Sequence, residues 1–366
     1  MNKGGKFSVY EGVLLTTMII VPKILYTSTP VVVKQLGTAA WYGTLISCLA
    51  AFIFFLLVCM LMARFPGKNI VKVFEAVLGK VLGKISGIIF SGYILYYAAS
   101  NLREFLEMIK VYNLPDTPPS IILIAFIAVS TLIAYKGIES IVRISCINFY
   151  PIMLGLFIIL VLAYPYYDPD YLKPYYGYGL KGTLYVGFLR SSAYQEVMIL
   201  PIIIASIHSI KDFTKIGLIS IVISGFVFSI SFLCYVMAYQ YTMGKENLSG
   251  IFQLSRVIYY SRYFQRVESI FLFTWVISSL LTVSTAFYSS IRVYCQSFNI
   301  KNHRPILIPF ALLMYVIALQ PKNISELIEV NLRFVRQYSL ILIFGLPVLV
   351  LLIAIIFGKK EDNCDA

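Results

Sequence analysis

The chain has 366 residues, of which 59% are hydrophobic and only 13% charged. That is about half the charge of an ordinary soluble domain, so a water-solvated globule is excluded, and long apolar runs exclude collagen-like and disordered chains. The formal net charge of +13 does not point to nucleic acid, because the 30 Lys and Arg are scattered between apolar runs and form no basic tract.

A membrane-spanning helix needs about 20 apolar residues. Met1–Val9 is short and basic, and the apolar stretch after it runs on without a small-residue cleavage site. It is therefore expected to be the first span and not a leader. In chain order the candidate spans are Tyr10–Val33, Trp41–Met62, Ile85–Met108, Pro119–Tyr135, Ile141–Tyr164, Thr183–Ile207, Phe213–Tyr239, Ser269–Cys295, Pro305–Leu319 and Tyr338–Phe357. Placing the N-terminus inside puts sixteen Lys and Arg in inside segments and eleven in outside ones. This bias favours both termini on the cytoplasmic side.

Polar chemistry enters the first span at Pro22-Lys23, twelve residues after Tyr10. Twelve helical residues reach only ~18 Å into a ~30 Å core, so this pair lies near mid-membrane. Pro22 removes a helix donor, and Lys23 must face protein or water. Two readings stand: a discontinuous helix with its break at Val21, Pro22 and Lys23, or a proline kink with a snorkelling lysine. The sixth span is interrupted by Arg190-Ser191-Ser192-Ala193-Tyr194-Gln195-Glu196, with Pro201 beyond. There Glu196 needs a partner or water, and an internal structural ion pair is the plainer reading.

Spans one and six hold corresponding positions in two five-span halves, and paired broken helices point to an inverted-repeat transporter site. Half-helix N-termini offer N–H groups to a carboxylate, and freed carbonyls face an ammonium. That chemistry suits an amino acid zwitterion. The whole chain, 1–366, is expected to be one transmembrane domain, with repeat one at about 8–164, repeat two at about 182–357 and a cytoplasmic tail at 358–366.

Weaker signals lie elsewhere. Span three carries Tyr97 and Asn101, then Arg103, Glu104 and Glu107 near its outer end, readable as a gate or as a solvated helix end with local ion pairs. Span eight carries Thr282 and Thr285 among many serines, a density that also serves helix packing. Asn69–Val81, Phe252–Arg266 and Ile324–Val335 read as amphipathic helices that lie on the membrane surface or cap the bundle. The tyrosines of Pro165–Tyr178 suit an interfacial belt. Cys48, Cys59, Cys146, Cys234, Cys295 and Cys364 have no metal or redox spacing and read as small hydrophobes. His208 and His303 read as solvated loop residues. No nucleotide loop, His/Cys cluster or nucleophile–base pair is present, so neither an enzyme nor a cofactor or metal is expected.

Arg64-Phe65-Pro66, the run Val73-Phe74-Glu75-Ala76-Val77-Leu78-Gly79-Lys80 and Leu82-Gly83-Lys84 resemble the loop after span two in the spore germination permease family. These are the B subunits of nutrient germinant receptors, in the amino acid–polyamine–organocation superfamily. Arg103…Glu107-Met108…Thr117-Pro118, Glu196-Val197-Met198-Ile199-Leu200-Pro201 and Arg266-Val267-Glu268-Ser269…Trp275 extend the resemblance over about residues 6–360, as do Pro321 and Pro347. It implies an all-α membrane protein of ten helices in a LeuT-like 5+5 inverted repeat, discontinuous in helices 1 and 6. It implies a role in sensing a small nutrient at the spore inner membrane, with A-type and C-type receptor subunits as partners. Carried over by position, the resemblance places a ligand pocket at Tyr97, Ala193, Tyr194 and Thr282. Together with the breaks and their flanks, the expected ligand residues are Val21, Pro22, Lys23, Tyr97, Asn101, Ser191, Ser192, Ala193, Tyr194, Thr282 and Thr285, with Lys23, Arg103, Glu107 and Glu196 in charge coupling or gating. The expected ligand is an L-amino acid, and an amino acid/proton symporter is the alternative function. The chain departs from the family pattern at Val21-Pro22-Lys23 and at Tyr194, where glycines are frequent. These departures re-charge and narrow the pocket.

Overall fold

The computed structural model describes residues 6–260 and 267–361. Among them every regular element is helical. In chain order the α-helices are α1 (Val9–Ile20), α2 (Ser28–Leu36), α3 (Ala40–Arg64), α4 (Ile70–Leu78), α5 (Lys80–Tyr112), α6 (Pro119–Lys136), α7 (Ile138–Leu162), α8 (Leu180–Leu189), α9 (Ile199–Ile202), α10 (Ile210–Ala238), α11 (Tyr241–Gly244), α12 (Gly250–Val257), α13 (Glu268–Ser297), α14 (Arg304–Leu319), α15 (Ile324–Glu326), α16 (Arg333–Ser339) and α17 (Leu346–Ile356). Among the described residues seven helical stretches are long and apolar enough to cross a membrane, and α14 is a shorter apolar helix.

Local chemistry sets the boundaries. Ser8 and Glu11 form a reciprocal capping box at the start of α1. The Asn69 side chain accepts from the Lys72 amide at 3.0 Å and starts α4. Gly79, with φ 88°, turns the chain from α4 into α5. At Gly83 an added Cβ would lie 2.4 Å from the Glu75 Cα, so only glycine lets these two helices touch. That gives the glycine of the 82–84 motif a physical reason. α4 buries Ile70, Val71, Val73, Phe74 and Val77 against the bundle. It caps the bundle end, as its amphipathic pattern predicts.

α5 and α13 pack along each other through the centre, with α3 against α10 and α1 against α10 and α7. Small residues permit the close approach. Gly217 of α10 faces the Phe55 ring, and Gly225 faces Cys48.

Both predicted interruptions are present, but they are tightened and not unwound. Val21–Leu25 is a 3-10 turn between α1 and α2. Arg190–Met198 is a nine-residue 3-10 stretch between α8 and α9. A 3-10 turn keeps i→i+3 hydrogen bonds, which a low-dielectric interior demands. Fewer backbone groups are therefore free for a ligand than open breaks would supply.

The end of the chain also departs from expectation. Ile324–Val335 and Tyr338–Phe357 were expected as a surface helix and a separate span. Instead helix runs from Ile324 to Ile356, with π-helical segments at Leu327–Leu332 and Leu340–Gly345. The second π segment lies directly ahead of Pro347, which cannot donate to the preceding turn. Of the Phe252–Arg266 helix, α12 is found, and 261–266 fall outside the described residues, as does Arg266 of the family-like motif. Cys364 and the tail beyond residue 361 do so too. Cys59 and Cys295 are buried, and Cys48, Cys146 and Cys234 are half-buried. His303 is a half-buried residue whose ring lies edge-on to Tyr288, and not a solvated one.

Candidate functional site

The two breaks meet in the middle of the bundle. Lys23, from the first break, donates to the Ala193 carbonyl at 2.5 Å and to Glu196 Oε2 at 2.6 Å, both in the second. The Glu196 side chain is only 5% exposed. Its other oxygen accepts from the Tyr97 hydroxyl on α5. One helical turn away, Tyr93 donates to Gln195 Oε1 at 2.7 Å. Burying Lys23 or Glu196 alone would cost several kcal/mol, and together with shared hydrogen bonds each offsets the other's desolvation. For Lys23 the structure therefore favours partnership over snorkelling, and for Glu196 it supplies the internal ion pair.

A second polar cluster lies further along α5. Glu104 is 3% exposed. It accepts from the Thr27 amide at 3.0 Å and hydroxyl at 2.5 Å, and from Arg336 Nη2 of α16 at 3.3 Å. Arg336 Nη2 also lies 2.8 Å from the Thr27 hydroxyl oxygen. Ser192 ties the second break to the same helix, donating to the Arg336 carbonyl at 2.6 Å. Arg103 pairs with Glu107 at 2.7 Å and reaches the Ala318 carbonyl. Arg103 is 7% exposed, so this is no solvated helix end.

Two cavities of about 40 Å³ flank the breaks, each with room for about three waters. One is polar, bordered by Asn101, Glu104, Arg190, Ser192 and Arg336. The other is largely apolar, bordered by Ile19, Ile94, Ile202, Thr282, Thr285 and Ile343. Tyr97 and Gln195 line both chambers and divide them.

The expected site residues distribute as follows. Lys23, Tyr97, Asn101, Ser192 and Ala193 line the polar chamber. Glu196, Thr282 and Thr285 line the apolar one, although the Thr282 hydroxyl is engaged by its own helix at Ser278. Val21, Pro22 and Ser191 are buried in the breaks and line neither chamber. Tyr194 is fully buried with its ring against Phe228, on a third cavity shared with Ser47 and Phe232. Arg103 and Glu107 border neither chamber. Glu104, Gln195, Tyr93 and Arg336 also belong to the arrangement: Glu104 enters it from the outer-end group of span three and Gln195 from the polar block of span six, whereas Arg336 was not among the expected site residues. Glu104 follows Tyr97 and Asn101 at helical spacing, so its face was readable, whereas Arg336 gave no local signal.

The family pattern described as spore germination protein, the spore permeases, matches residues 6–327. The chain belongs to this family. Spore germination protein KB of Bacillus subtilis (strain 168) is 23% identical over 330 residues, covering 89% of this chain and 88% of that protein. Spore germination protein YndE of the same organism is 23% identical, with 86% of each chain covered. Among solved structures, a Na+-coupled sialic acid symporter in a substrate-bound outward-open state superimposes with a TM-score of 0.68 at 13% identity, covering 95% of this chain and 79% of that one. Mhp1, a nucleobase-cation-symport-1 family transporter in a closed conformation, gives 0.67 at 12% identity, covering 95% and 80%. At these identities the likeness shows the fold alone, that of the LeuT-like symporters. This spore germination permease is thus a multi-pass integral membrane protein of a transporter-like, non-enzyme family.

Proposed function

We propose that this spore germination permease is the transporter-like subunit of a nutrient germinant receptor in the spore inner membrane, where it binds an L-amino acid and triggers germination with A-type and C-type partner subunits. In this reading the chain is one transmembrane domain of ten spans. α1 with α2, and α8 with α9, are the broken first helices of two inverted five-span repeats, at about 8–164 and 182–357.

The observation that carries the reading is the direct Lys23–Glu196 pair, which joins the two breaks between two chambers. A zwitterion supplies the same two charges in reverse, so its carboxylate can take Lys23 and its ammonium Glu196. Releasing Tyr97 from Glu196 would merge the chambers, with the ligand's side chain entering the apolar one beside Thr282 and Thr285. Opening of the Lys23–Glu196 pair by the ligand is then the signal. Only differential binding to the open state shifts that balance.

The test is deletion in a spore former, followed by germination against a panel of L-amino acids. Loss of response to one amino acid class, restored by the wild-type chain and not by Lys23→Met, is expected. An unaltered response to every nutrient would refute the assignment. The symporter-like fold favours amino acid/proton symport as the second reading. Isotope uptake driven by a proton gradient, by the lone chain in proteoliposomes, would support that reading instead.

A further inference from the structure

We propose that the polar chamber holds a carboxylate subsite at Arg190, and that the ligand is a small carboxylate-bearing molecule with one net negative charge. This rests on the reading of the chambers as the nutrient site and narrows it.

The charges around this cavity do not balance. Lys23 is matched by Glu196 at 2.6 Å, and Arg336 by Glu104 at 3.3 Å. Arg190 also lines the chamber. Its guanidinium donates to the Gln35 side-chain oxygen at 3.0 Å, a neutral partner. Among the described residues no carboxylate lies within ion-pair distance of it. Two pairs cancel and one cation remains. Two guanidiniums, Arg190 and Arg336, border the same small space, and like charges repel. An anion between them removes that repulsion, and the planar guanidinium fork fits a carboxylate.

Position supports the same conclusion. Arg190 opens the second break, directly after α8 ends at Leu189. Five residues on, Gln195 borders both chambers, and Glu196 after it holds Lys23. A ligand whose zwitterion engages Lys23 and Glu196 would leave Arg190 to a further carboxylate, as an acidic amino acid provides. A hydroxy acid offers the same single net charge without an ammonium.

Two isosteric pairs separate these sources. The purified full-length chain in lipid nanodiscs is titrated with L-glutamate, L-glutamine, L-lactate and L-lactamide, with inorganic phosphate as the plain-anion control, and the thermal unfolding midpoint is followed. At least one acid is expected to half-saturate at about tenfold lower concentration than its amide, the effect of one charge-assisted hydrogen-bonded contact. Glutamate over glutamine identifies an acidic amino acid, and lactate over lactamide a hydroxy acid. Arg190→Gln should erase the preference, and Arg190→Lys should keep it in part, while the midpoint without ligand reports that each variant is folded. An amide that binds as well as its acid, or phosphate that stabilises as strongly as the acids, overturns the subsite and leaves the nutrient reading standing. No shift with any of the four organic probes counts against both.

Discussion

Lys23 and Glu196 are the residues on which the proposed switch turns. Each is satisfied by the other and by one further group, the Ala193 carbonyl for Lys23 and the Tyr97 hydroxyl for Glu196. Removing one member of a buried pair strands the other and typically costs ~3–5 kcal/mol. Lys23→Met is therefore expected to lower the thermal midpoint of the purified chain more than Lys23→Met combined with Glu196→Gln. Equal or additive losses would show that the two charges are independent. His303 offers a second test at this scale. Burial holds its imidazole below the usual histidine range, and Arg292 and Arg304 act in the same direction against the Ala134 carbonyl. A lowered folded-state pKa means the unfolded chain binds the proton more readily. This histidine's contribution is thus fully present above the unfolded value of about 6.5 and is lost as pH falls through it toward the folded one. Midpoints at pH 7.5 and 5.5 should differ less in His303→Gln than in the wild type, and an unchanged difference would reject the role.

At the scale of elements, close helix contact depends on glycine. Gly83 sits where α5 crosses the backbone of α4 at Glu75, whereas a Cβ on Gly92, also in α5, would meet nothing within 4 Å. Gly83→Ala should cost ~1–3 kcal/mol by overpacking. Gly92→Ala should be neutral or stabilise by up to about 1 kcal/mol through helix propensity. Chemical denaturation in mild detergent compares the two, and similar effects would contradict the packing argument. The π segments matter for the same reason. Leu327–Leu332 and Leu340–Gly345 flank α16, which carries Arg336. An extra residue per turn rotates the side chains that follow, and that rotation decides whether a cation faces lipid or chamber.

For the whole molecule, the distribution of Lys and Arg predicts that Lys136, at the end of α6, and Lys173, in the tyrosine-rich loop, lie on opposite sides of the membrane, Lys136 inside. Both are exposed. With native cysteines replaced, Lys173→Cys should react with an impermeant thiol reagent on intact cells, and Lys136→Cys only after permeabilisation. The reverse pattern would invert the orientation. The tyrosines at 175, 176 and 178 are 56–68% exposed, which suits the interfacial belt their sequence suggests.

The sequence by itself determined the solvent, the helical class, the family and the two interruptions. Each is written locally, in apolar run length, in Pro22-Lys23, and in the polar block from Arg190 to Glu196. It also required that Lys23 and Glu196 each find a partner or water at membrane depth, and the structure supplies each to the other. What only the tertiary structure decided is which distant side chains close around the breaks. Glu104 meets Thr27 across 77 positions and Arg336 meets Thr27 across 309, contacts that no periodicity records. Tyr194 is in the break, and the tertiary structure places it on a cavity separate from the two chambers, with its ring against Phe228 and with Lys23, Ala193 and Arg190 on the same lining. Three residues per turn in place of 3.6 shifts each successive side chain around the axis, and that rotation is fixed by the helices packed around the break and not by the residues within it.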